Sequence, residues 1–210
     1  MMKFRIMQTN ALRGLLYEFG VVLPEGIRAL AKAWPATLAN VADQLPTILI
    51  DTLREQWARV GTIETEIAVI ERRLAAALRD SLPCQQIAAI PGVGLLTATA
   101  AVATMGNANT FKSGRQFAAW LGLVPRQTGT GGRIRQLGLN KRGDTYLGTL
   151  LIHGARAVIA KARHSPWIEA LLRRRPYSVV VAALANKLAR NIWAVLAKGH
   201  PYKPAAFSAA

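Results

Sequence analysis

Apolar residues recur every three or four positions along most of this chain, which is the spacing of helices with one buried face. The pattern is most regular from residue 47 to 79, where charged residues separate the members of one apolar stripe: Ile50, Leu53, Trp57, Val60, Ile63, Ile67, Ile70, Leu74 and Leu78. Such a stripe on a long charged helix is typical of an antiparallel or dimeric coiled coil. We therefore predict an all-α protein in which residues 47–82 form a coiled-coil helix and join copies of the chain into a homo-oligomer.

Two shorter helices are predicted before this stripe. Helical spacing of apolar residues covers positions 4–19, and Gly20 is a plausible end of that helix. A second helix is expected over residues 25–34, because Pro35 lacks the amide hydrogen that a helix interior uses. Residues 1–46 are therefore expected to form a helical linker without chemistry of its own.

A tight turn with two glycines is predicted further along. Pro91-Gly92-Val93-Gly94 lies between an apolar helical turn and an alanine-rich segment, 95–104, that should be helical. Glycine permits a positive φ and a close approach of another backbone, and the start of the second helix presents unpaired amide N–H groups at a positive dipole end. Gly92 and Gly94 are therefore candidates for a helix-hairpin-helix turn that binds phosphate. The alternative is a plain helix–helix turn that binds nothing.

A second candidate site follows a short helix. A helix that begins at Ser113 or Gly114 is expected to run to Trp120, which should face the core, with Arg115 facing out. Residues 126–143 then contain five cations, five glycines and no acidic residue. A segment with so many cations and glycines is expected to be a loop. This loop either wraps a phosphate backbone or is disordered.

Two further helices complete the predicted fold. Asp144 is a natural N-cap for the next helix and Ser178 for the last one, which Gly199 should end. Residues 83–199 are therefore expected to form one helical domain that contains both the glycine turn and the cationic loop. Residues 200–210 are expected to be a loose tail.

Charge is distributed unevenly over these segments. Residues 1–90 hold 10 basic and 9 acidic side chains, whereas residues 91–210 hold 17 basic and 2 acidic ones. A surface with such an excess attracts a polyanion, because binding releases the counterions that the polyanion holds. Nucleic acid is the expected partner, and an anionic membrane is the competing one. Aromatic residues are few and the cations are scattered over several segments, which favours nucleic acid.

Other classes of chemistry are not indicated by the composition. The single cysteine, Cys84, gives no disulfide framework and is expected to be a small buried residue in a reducing cytoplasm. The three histidines lack metal-ligand spacing, and the carboxylates of residues 47–82 mostly lie three or four positions from arginines, as solvated helix pairs do. We expect no metal ion or cofactor in this chain, and no membrane span or signal peptide.

Several motifs taken together resemble a known family. They are Ile90-Pro-Gly-Val-Gly94, Phe111-x-x-x-Arg115-Gln-Phe-Ala-Ala-Trp-Leu-Gly-Leu-Val-Pro-Arg126, Gly131-Gly132, Asn140-Lys-Arg-Gly-Asp144 and Leu150-Leu-Ile-His-Gly-Ala-Arg156. This set closely resembles the C-terminal domain of transposases of the insertion-sequence-110 family, subgroup 1111. The likeness covers most of the chain: residues 8–20 are similar to the start of the family's helical linker, 47–82 to its coiled coil and 87–200 to its C-terminal domain.

The resemblance implies a cytoplasmic, dimeric or tetrameric recombinase that moves its own element with help from a structured RNA encoded by that element. It also implies an N-terminal ribonuclease-H-like domain whose Asp/Glu/Asp/Asp set binds divalent metal, and nothing before Gly20 could form such a domain. We therefore expect either a C-terminal fragment or a decayed copy, inactive alone, with residues 1–46 as the remnant of the linker.

The family's second catalytic element is a serine in the loop after the Leu-Val-Pro-Arg motif, which attacks a DNA phosphorus. No serine lies between Gly114 and His164 here. Thr130 occupies the approximate serine position, with Thr128 as the nearby alternative. Threonine offers the same hydroxyl with a hindering methyl group, and its attack would need a base and cations. Thr130 is thus the candidate nucleophile, and the alternative is a turn-forming hydroxyl.

Two functions remain open on the sequence. One is the C-terminal part of a DNA transposase that binds DNA and a guide-type RNA. The other is a non-catalytic helix-hairpin-helix module that binds nucleic acid, or an oligomerisation partner of full-length copies. Both predict binding dominated by phosphate contacts. The predicted nucleic-acid-binding residues are Gly92, Gly94, Lys112, Arg115, Arg126, Arg133, Arg135, Lys141 and Arg142.

Overall fold

Helices make up most of the fold, which confirms the all-α class. The computed structural model describes residues 1–140, 143–161 and 165–203. Its helices are α1 (Met2–Tyr17), α2 (Ile27–Val41), α3 (Thr47–Asp80), α4 (Leu82–Ala88), α5 (Leu95–Met105), α6 (Gly114–Trp120), α7 (Thr145–Lys161), α8 (Pro166–Arg174) and α9 (Tyr177–Lys198). A short 3₁₀ turn (Ala108–Thr110) precedes α6, and two strands, β1 (Pro125–Thr130) and β2 (Arg133–Leu139), form one antiparallel hairpin.

The chain divides into two compact units, and the division falls inside α3. The N-terminal unit is Met1–Arg73 and the C-terminal unit is Leu74–Ala210. In the N-terminal unit, α1, α2 and the first half of α3 share one apolar cluster: Leu12, Leu16, Leu23, Leu30, Trp34, Val41, Ile50, Leu53 and Val60.

The long predicted helix is present as α3, but part of its apolar stripe is already covered within the chain. Ile50, Leu53 and Val60 are buried in the cluster with α1 and α2. Trp57 stacks on Trp34 of α2, with the ring centroids 4.8 Å apart. The stripe therefore packs helices of one chain together, and its role in joining copies stays a prediction.

Pro35 does not end the second helix, contrary to the sequence prediction. Helix α2 runs from Ile27 to Val41 with Pro35 in its interior. A proline there removes one helical hydrogen bond and costs about 3 kcal/mol. Leu30, Trp34 and Val41 are buried on either side of it. Continuation of the helix past Pro35 brings Val41 into the same cluster, and this burial offsets the missing bond.

Helix α9 is central to the C-terminal unit. Helices α4, α6, α7 and α8 pack against it. Its buried residues are Val180, Val181, Leu184, Ala185, Leu188, Ala189, Ile192 and Val195. By length and composition α9 could also cross a membrane. Its eight buried residues form the face that packs against the neighbouring helices, as in a core helix.

Three of the predicted helix ends are confirmed by their hydrogen bonds or dihedral angles. Ser113 Oγ accepts the amide N–H of Gln116 at 3.3 Å and begins α6. Asp144 Oδ1 accepts the amide N–H of Leu147 at 2.8 Å and begins α7. Gly199, with φ of 64°, ends α9 in the left-handed conformation.

Other boundaries differ from the prediction. Ser178 lies inside α9, because Pro176 takes the N-cap position and its fixed φ starts the helix two residues earlier. Helix α8 was not predicted. Its N-cap is Ser165, whose Oγ accepts the amide N–H of Ile168 at 3.4 Å, and Pro166 follows at the first helical position. Of the predicted tail, residues 204–210 lie outside the described residues.

The segment predicted as a loop forms a β-hairpin over most of its length. Thr130 pairs with Arg133 across a two-residue turn, in which Gly131 has φ of 58° and Gly132 of 81°. Two successive positive φ values define the turn whose twist matches that of antiparallel strands. Two of the five glycines are therefore turn residues of a hairpin, and the loop prediction is wrong over residues 126–139. The predicted Lys141 and Arg142 lie outside the described residues.

Candidate nucleic-acid interface

The hairpin places two hydroxyls and two guanidiniums on one of its faces. Thr128 pairs with Arg135 and Thr130 with Arg133. Side chains alternate between the two faces of a strand and directly paired residues share a face, so these four side chains lie on the same side. All four residues are exposed. Arg126 is exposed as well, at the irregular step of the pairing between Pro125 and Gln127.

The base of the hairpin is fixed to the core of the C-terminal unit. Asn186 Nδ2 on α9 donates to the carbonyl oxygen of Leu123 at 3.0 Å, and Leu123 itself is buried. The amide N–H of Asn140 donates to Val124 O at 2.9 Å, which brings the two ends of the hairpin together. The exposed strands therefore extend from a base that is hydrogen-bonded to α9.

Gly143 adds a backbone contact at the same attachment. Its φ is +136°, and a Cβ built on it would overlap the carbonyl oxygen of Trp120. Trp120 was expected to face the core, but 42% of its surface is exposed. The indole lies at the edge of an aromatic cluster, with its ring centroid 5.5 Å from Phe111 and 6.1 Å from Phe117. Of the three rings, it is Phe117 that fills the core.

Thr130, the candidate nucleophile, is the last residue of β1 and is exposed. Arg133 lies directly across the turn from it, in position to offer positive charge to a phosphate there. Activation of a hydroxyl also needs a base. Residues 125–139 contain no His, Asp, Glu or Lys. A base would therefore have to come from outside the hairpin, and the catalytic role of Thr130 stays a prediction.

The glycine turn joins α4 to α5, and its two predicted glycines have different surroundings. Gly92 has φ of +89°, and a Cβ there would lie 2.8 Å from Val158 Cγ2 and 2.9 Å from the carbonyl oxygen of Gly154 on α7. The close approach of α7 explains why residue 92 is glycine. Gly94 is exposed at the N-cap of α5, with nothing within 4 Å of an added Cβ. The amide groups of the first turn of α5 receive no side-chain cap there.

Lys112 and Arg115 flank the start of α6. The amide N–H of Lys112 donates to Gln116 Oε1 at 2.6 Å, and Ser113 Oγ accepts from Gln116 N–H in return. This reciprocal pair fixes the chain where it enters the helix. Both cationic residues are exposed.

Arg115 lies at a groove of about 920 Å³ between α6, the base of the hairpin, α8 and α9. We call it the α9 groove. Its cations are Arg115, Lys187 and Arg190, and among the described residues none of those that line it is acidic. Pro125 and Leu139, the first and last residues of the hairpin, line it too. The structure therefore brings the predicted Arg115 together with the base of the cationic hairpin.

The contribution of α9 to this groove was not predicted from the sequence. Lys187 and Arg190 belong to α9, as do Asn186 and Asn191. The signal was present, because the pair Asn186-Lys187 is followed one helical turn later by Arg190-Asn191 in an otherwise apolar helix. The apolar spacing of that helix indicates one buried face, and it assigns no role to the polar pairs on the other.

Lys187 is held in an environment that disfavours its charge. Burial lowers the pKa of its ammonium group, and the nearby Arg190 guanidinium lowers it further. The Lys187 Nζ lies 4.4 Å from the centroid of the Trp167 ring, so the indole face partly compensates the charge. Two cations are thus held close together at the groove.

Two further kinds of site were considered from the sequence, a metal site and a reactive thiol. In the part of the chain that is described, no three His, Cys, Asp or Glu side chains gather at one place. Cys84 is buried, as predicted, with Sγ 4.0 Å from the carbonyl oxygen of Ala98. Its surroundings are those of a small core residue.

Residues 84–173 match the model of the Transposase IS116/IS110/IS902 family. The matched segment includes the glycine turn, α6 and the whole hairpin. Residues before 84 and the whole of α9 lie outside it.

Relatives match nearly the whole chain. The chain is 46% identical over 201 residues to the "Probable family 20 transposase" of Pseudomonas aeruginosa strain PAO1, an alignment that covers 93% of this chain and 60% of the relative. It is 36% identical to the "Transposase for insertion sequence element IS1111A" of Coxiella burnetii, with 97% and 57% covered. It is also 36% identical to the IS1328 transposase of Yersinia enterocolitica, with 93% and 59% covered. The chain thus spans less than two thirds of the length of these relatives.

Proposed function

Because the chain belongs to the IS116/IS110/IS902 transposase family, we propose that its C-terminal unit binds the DNA of an insertion sequence during transposition. The observation that carries this proposal is the exposed hairpin, whose one face holds Arg133 and Arg135 beside two threonine hydroxyls. Guanidinium groups bind phosphate oxygens in pairs of hydrogen bonds, and hydroxyls add further donors.

The charge of the C-terminal unit supports the same proposal. Residues 74–210 contain 18 basic and 3 acidic side chains. The ion pairs between described residues all lie in the N-terminal unit. Such an excess of cations is suited to an external polyanion, and phosphate contacts of this kind position a protein without reading base sequence.

The remaining partners belong to the same proposal. A structured RNA would present the same phosphates to the hairpin as DNA does. Residues 47–82 would join copies of the chain through the part of the apolar stripe that other helices leave open, such as Ile70, which is 42% exposed. The location in the cytoplasm and the lack of a cofactor in this chain stay predictions.

A catalytic version of the proposal gives Thr130 a chemical step. Its hydroxyl oxygen would form a bond to a DNA phosphorus, the bond from that phosphorus to one deoxyribose oxygen would break, and the hydroxyl proton would pass through a base to the leaving oxygen. Arg133 would stabilise the charge on the phosphorane-like transition state. The alternative is a non-catalytic nucleic-acid-binding module. The lack of a base within residues 125–139 favours this alternative.

Salt dependence tests the binding proposal. Fluorescence anisotropy with labelled duplex DNA gives the affinity at several salt concentrations. If five cations contact phosphates, the slope of log affinity against log salt should be roughly −3.5 to −4.5. Arg133→Gln with Arg135→Gln should make that slope less steep by roughly 1.4 to 1.8, because two contacts are lost.

The matched control removes two arginines from the N-terminal unit, Arg54→Gln and Arg59→Gln, which already lie beside acidic groups. This control should bind DNA as the unaltered chain does. A slope near zero for the unaltered chain, or an equal loss in both double variants, would contradict the proposal.

A covalent adduct separates the catalytic version from the alternative. The full chain is incubated with labelled DNA and analysed after denaturation, and Thr130→Ala and Thr128→Ala are compared with it. An adduct that is lost only in Thr130→Ala would establish the nucleophile. Absence of any adduct, with unchanged binding in Thr130→Ala, would establish the non-catalytic module.

A further inference from the structure

We propose that one face of α1 binds the same face of a second copy of this chain, with the two helices antiparallel. The face consists of four positions, Phe4, Met7, Ala11 and Gly14, and we call it the α1 face. These positions recur at intervals of three and four, as on one side of a helix. The α1 face includes neither residues 47–82 nor the cationic hairpin. The inference therefore goes beyond the proposed function and does not depend on nucleic-acid binding.

The first observation is that α1 has two apolar faces, of which the fold covers one. Leu12 is fully buried in the cluster that α1 shares with α2 and α3. Arg5 Nη1 donates to Glu64 Oε1 on α3 at 2.8 Å, which also fixes the side that α1 presents to α3. The other apolar face is left in solvent, with Phe4 61% and Met7 53% exposed. An exposed apolar face of this kind indicates a contact with another molecule.

The second observation is the order of residue sizes along the α1 face. Its first half holds the large side chains of Phe4 and Met7. Its second half holds only small residues, Ala11 and Gly14. All four positions are exposed, and among the described residues nothing lies within 4 Å of a Cβ built on Gly14. The α1 face is therefore bulky at one end and recessed at the other.

An antiparallel arrangement makes this face complementary to itself. When the pair is centred between positions 7 and 11, Phe4 lies opposite the partner's Gly14. Met7 then lies opposite the partner's Ala11, and the twofold symmetry repeats both contacts. Large and small residues face each other across the contact, as in a packed core. A parallel pair would instead set large residues against each other at one end and leave a cavity at the other, and both faults cost stability.

The third observation is the charge at the two ends of α1. Lys3 lies in the first turn of the helix, and Glu18 follows its last residue. In the antiparallel pair the lysine of each copy lies about three residue steps, or about 4.5 Å along the axis, from the partner's Glu18. A parallel pair would bring like charges together at both ends. Solvent-exposed charges of this kind contribute little affinity, but they favour one orientation over the other.

The size of the contact sets its strength. One face of a 16-residue helix buries less than the roughly 1,200 Å² below which complexes are transient. We therefore expect a reversible dimer with a Kd on the order of 10 to 100 μM.

Sedimentation equilibrium of the full chain tests the pairing, without nucleic acid and at concentrations from about 1 to 300 μM. The variant of the α1 face is Met7→Glu, and the matched control is Ile6→Glu. Both residues are apolar, adjacent in α1 and 53% exposed, but only Met7 belongs to the α1 face. In the pair, Met7→Glu would place two carboxylates in an apolar contact near the twofold axis. It should raise the Kd at least about tenfold, whereas Ile6→Glu should change it less than about twofold.

A third variant, Ile70→Glu, separates this contact from one through residues 47–82. Ile70 is an exposed member of the apolar stripe of α3, so the α1 dimer should persist in this variant. If Ile70→Glu abolishes association and Met7→Glu does not, the α1 proposal is overturned and the oligomer of the proposed function stands. A chain that stays monomeric over the whole range, or equal effects of Met7→Glu and Ile6→Glu, overturns the α1 proposal as well. None of these outcomes bears on DNA binding, which is measured separately.

Disulfide cross-linking tests the orientation. The variants Phe4→Cys and Gly14→Cys are made in a chain that carries Cys84→Ala, because Cys84 is the single natural cysteine. Under mild oxidation the mixture of the two variants should cross-link, and each variant alone should not. Positions 4 and 14 are ten residues apart, or about 15 Å along the helix axis, whereas a disulfide needs Cα atoms within about 7 Å. Cross-linking of each variant with itself, and not in the mixture, would show a parallel contact and overturn the proposal.

Discussion

The two units of this protein handle charge in opposite ways. The N-terminal unit has 9 basic and 8 acidic side chains, and its arginines meet carboxylates along α3, as in Arg59 with Glu55 at 3.8 Å. The C-terminal unit has 18 basic and 3 acidic side chains, and it holds Lys187 next to Arg190. The first arrangement is that of an ordinary solvated helix surface. The second concentrates positive charge in one unit of the chain, and such a surface attracts polyanions. The difference between the units is therefore more informative than the net charge of the whole chain.

The units also differ in how closely their helical glycines are packed against other parts of the chain. Gly61 in α3 has nothing within 4 Å of an added Cβ. In the C-terminal unit, by contrast, Gly154 in α7 and Gly114 in α6 lie against another backbone. A Cβ on Gly114 would come within 3.0 Å of Arg190 Cα. Close backbone contacts of this kind tolerate no side chain, so the C-terminal unit should be far less permissive to substitution at glycine.

The largest expected effect tests this difference between the helical glycines of the two units. Gly154→Ala should destabilise the C-terminal unit by about 3 kcal/mol or more, because the new methyl group overlaps the carbonyl oxygen of Gly92 and two backbones must separate. Gly61→Ala is the matched change in the other unit. It should raise stability by about 0.5 to 1 kcal/mol, since alanine favours an exposed helix more than glycine does.

Chemical denaturation followed by circular dichroism measures both changes. Since two units contribute to the signal, tryptophan fluorescence of Trp34→Phe with Trp57→Phe reports on the C-terminal unit alone, where the other three tryptophans lie. Equal effects of the two alanine substitutions would show that the contact between Gly92 and Gly154 is not tight in solution.

A smaller effect tests whether the stability of the hairpin is independent of the core to which it is attached. Replacement of Gly131 and Gly132 by alanine forces two side chains into positive φ, at a cost of roughly 1–2 kcal/mol per residue. The cost should fall on the hairpin alone, because every residue of β1 is exposed. Trypsin should then cut sooner after Arg126, Arg133 and Arg135, while the thermal midpoint of the unit stays unchanged. A lowered midpoint would mean that the hairpin supports the core.

The smallest effect concerns the ion pairs of the N-terminal unit. Arg5 and Glu64 join α1 to α3 at 2.8 Å and are partly exposed. A double-mutant cycle with Arg5→Ala and Glu64→Ala should give a coupling energy of about 0.5 kcal/mol, because solvent screens such pairs. The coupling should weaken further in high salt. A coupling energy of several kcal/mol would show that charge pairing, and not the apolar cluster, holds these helices together.

The sequence predicted elements whose stability is local and missed those that depend on distant contacts. The caps at Ser113 and Asp144 follow from one side chain and an amide three residues later, and both were found. Continuation of α2 through Pro35 depends on burial of Val41 against residues elsewhere in the chain, which no local rule contains. Helix propensity is overridden by such packing.

The candidate site shows the same limit. Arg115, Arg126, Arg133 and Arg135 were identified from residue type alone, but their grouping was not. The turn at Gly131-Gly132 converts a cationic segment into a two-sided strand pair, and Asn186 attaches that pair to α9. The groove cations Lys187 and Arg190 come from a helix whose apolar spacing indicated only core. Their proximity to Arg115 is a product of tertiary packing.

The hairpin finally sets a length scale for whatever lies against it. Five residue steps separate Pro125 at its base from Thr130 at its tip, and an extended strand advances about 3.3 Å per residue. The tip therefore reaches up to about 17 Å from the edge of the groove, a distance of roughly five base-pair steps at about 3.4 Å each. On a bound nucleic acid, contacts at the base of the hairpin and contacts at its tip would then have a fixed spacing, and insertion of two residues into each strand would lengthen that spacing in proportion.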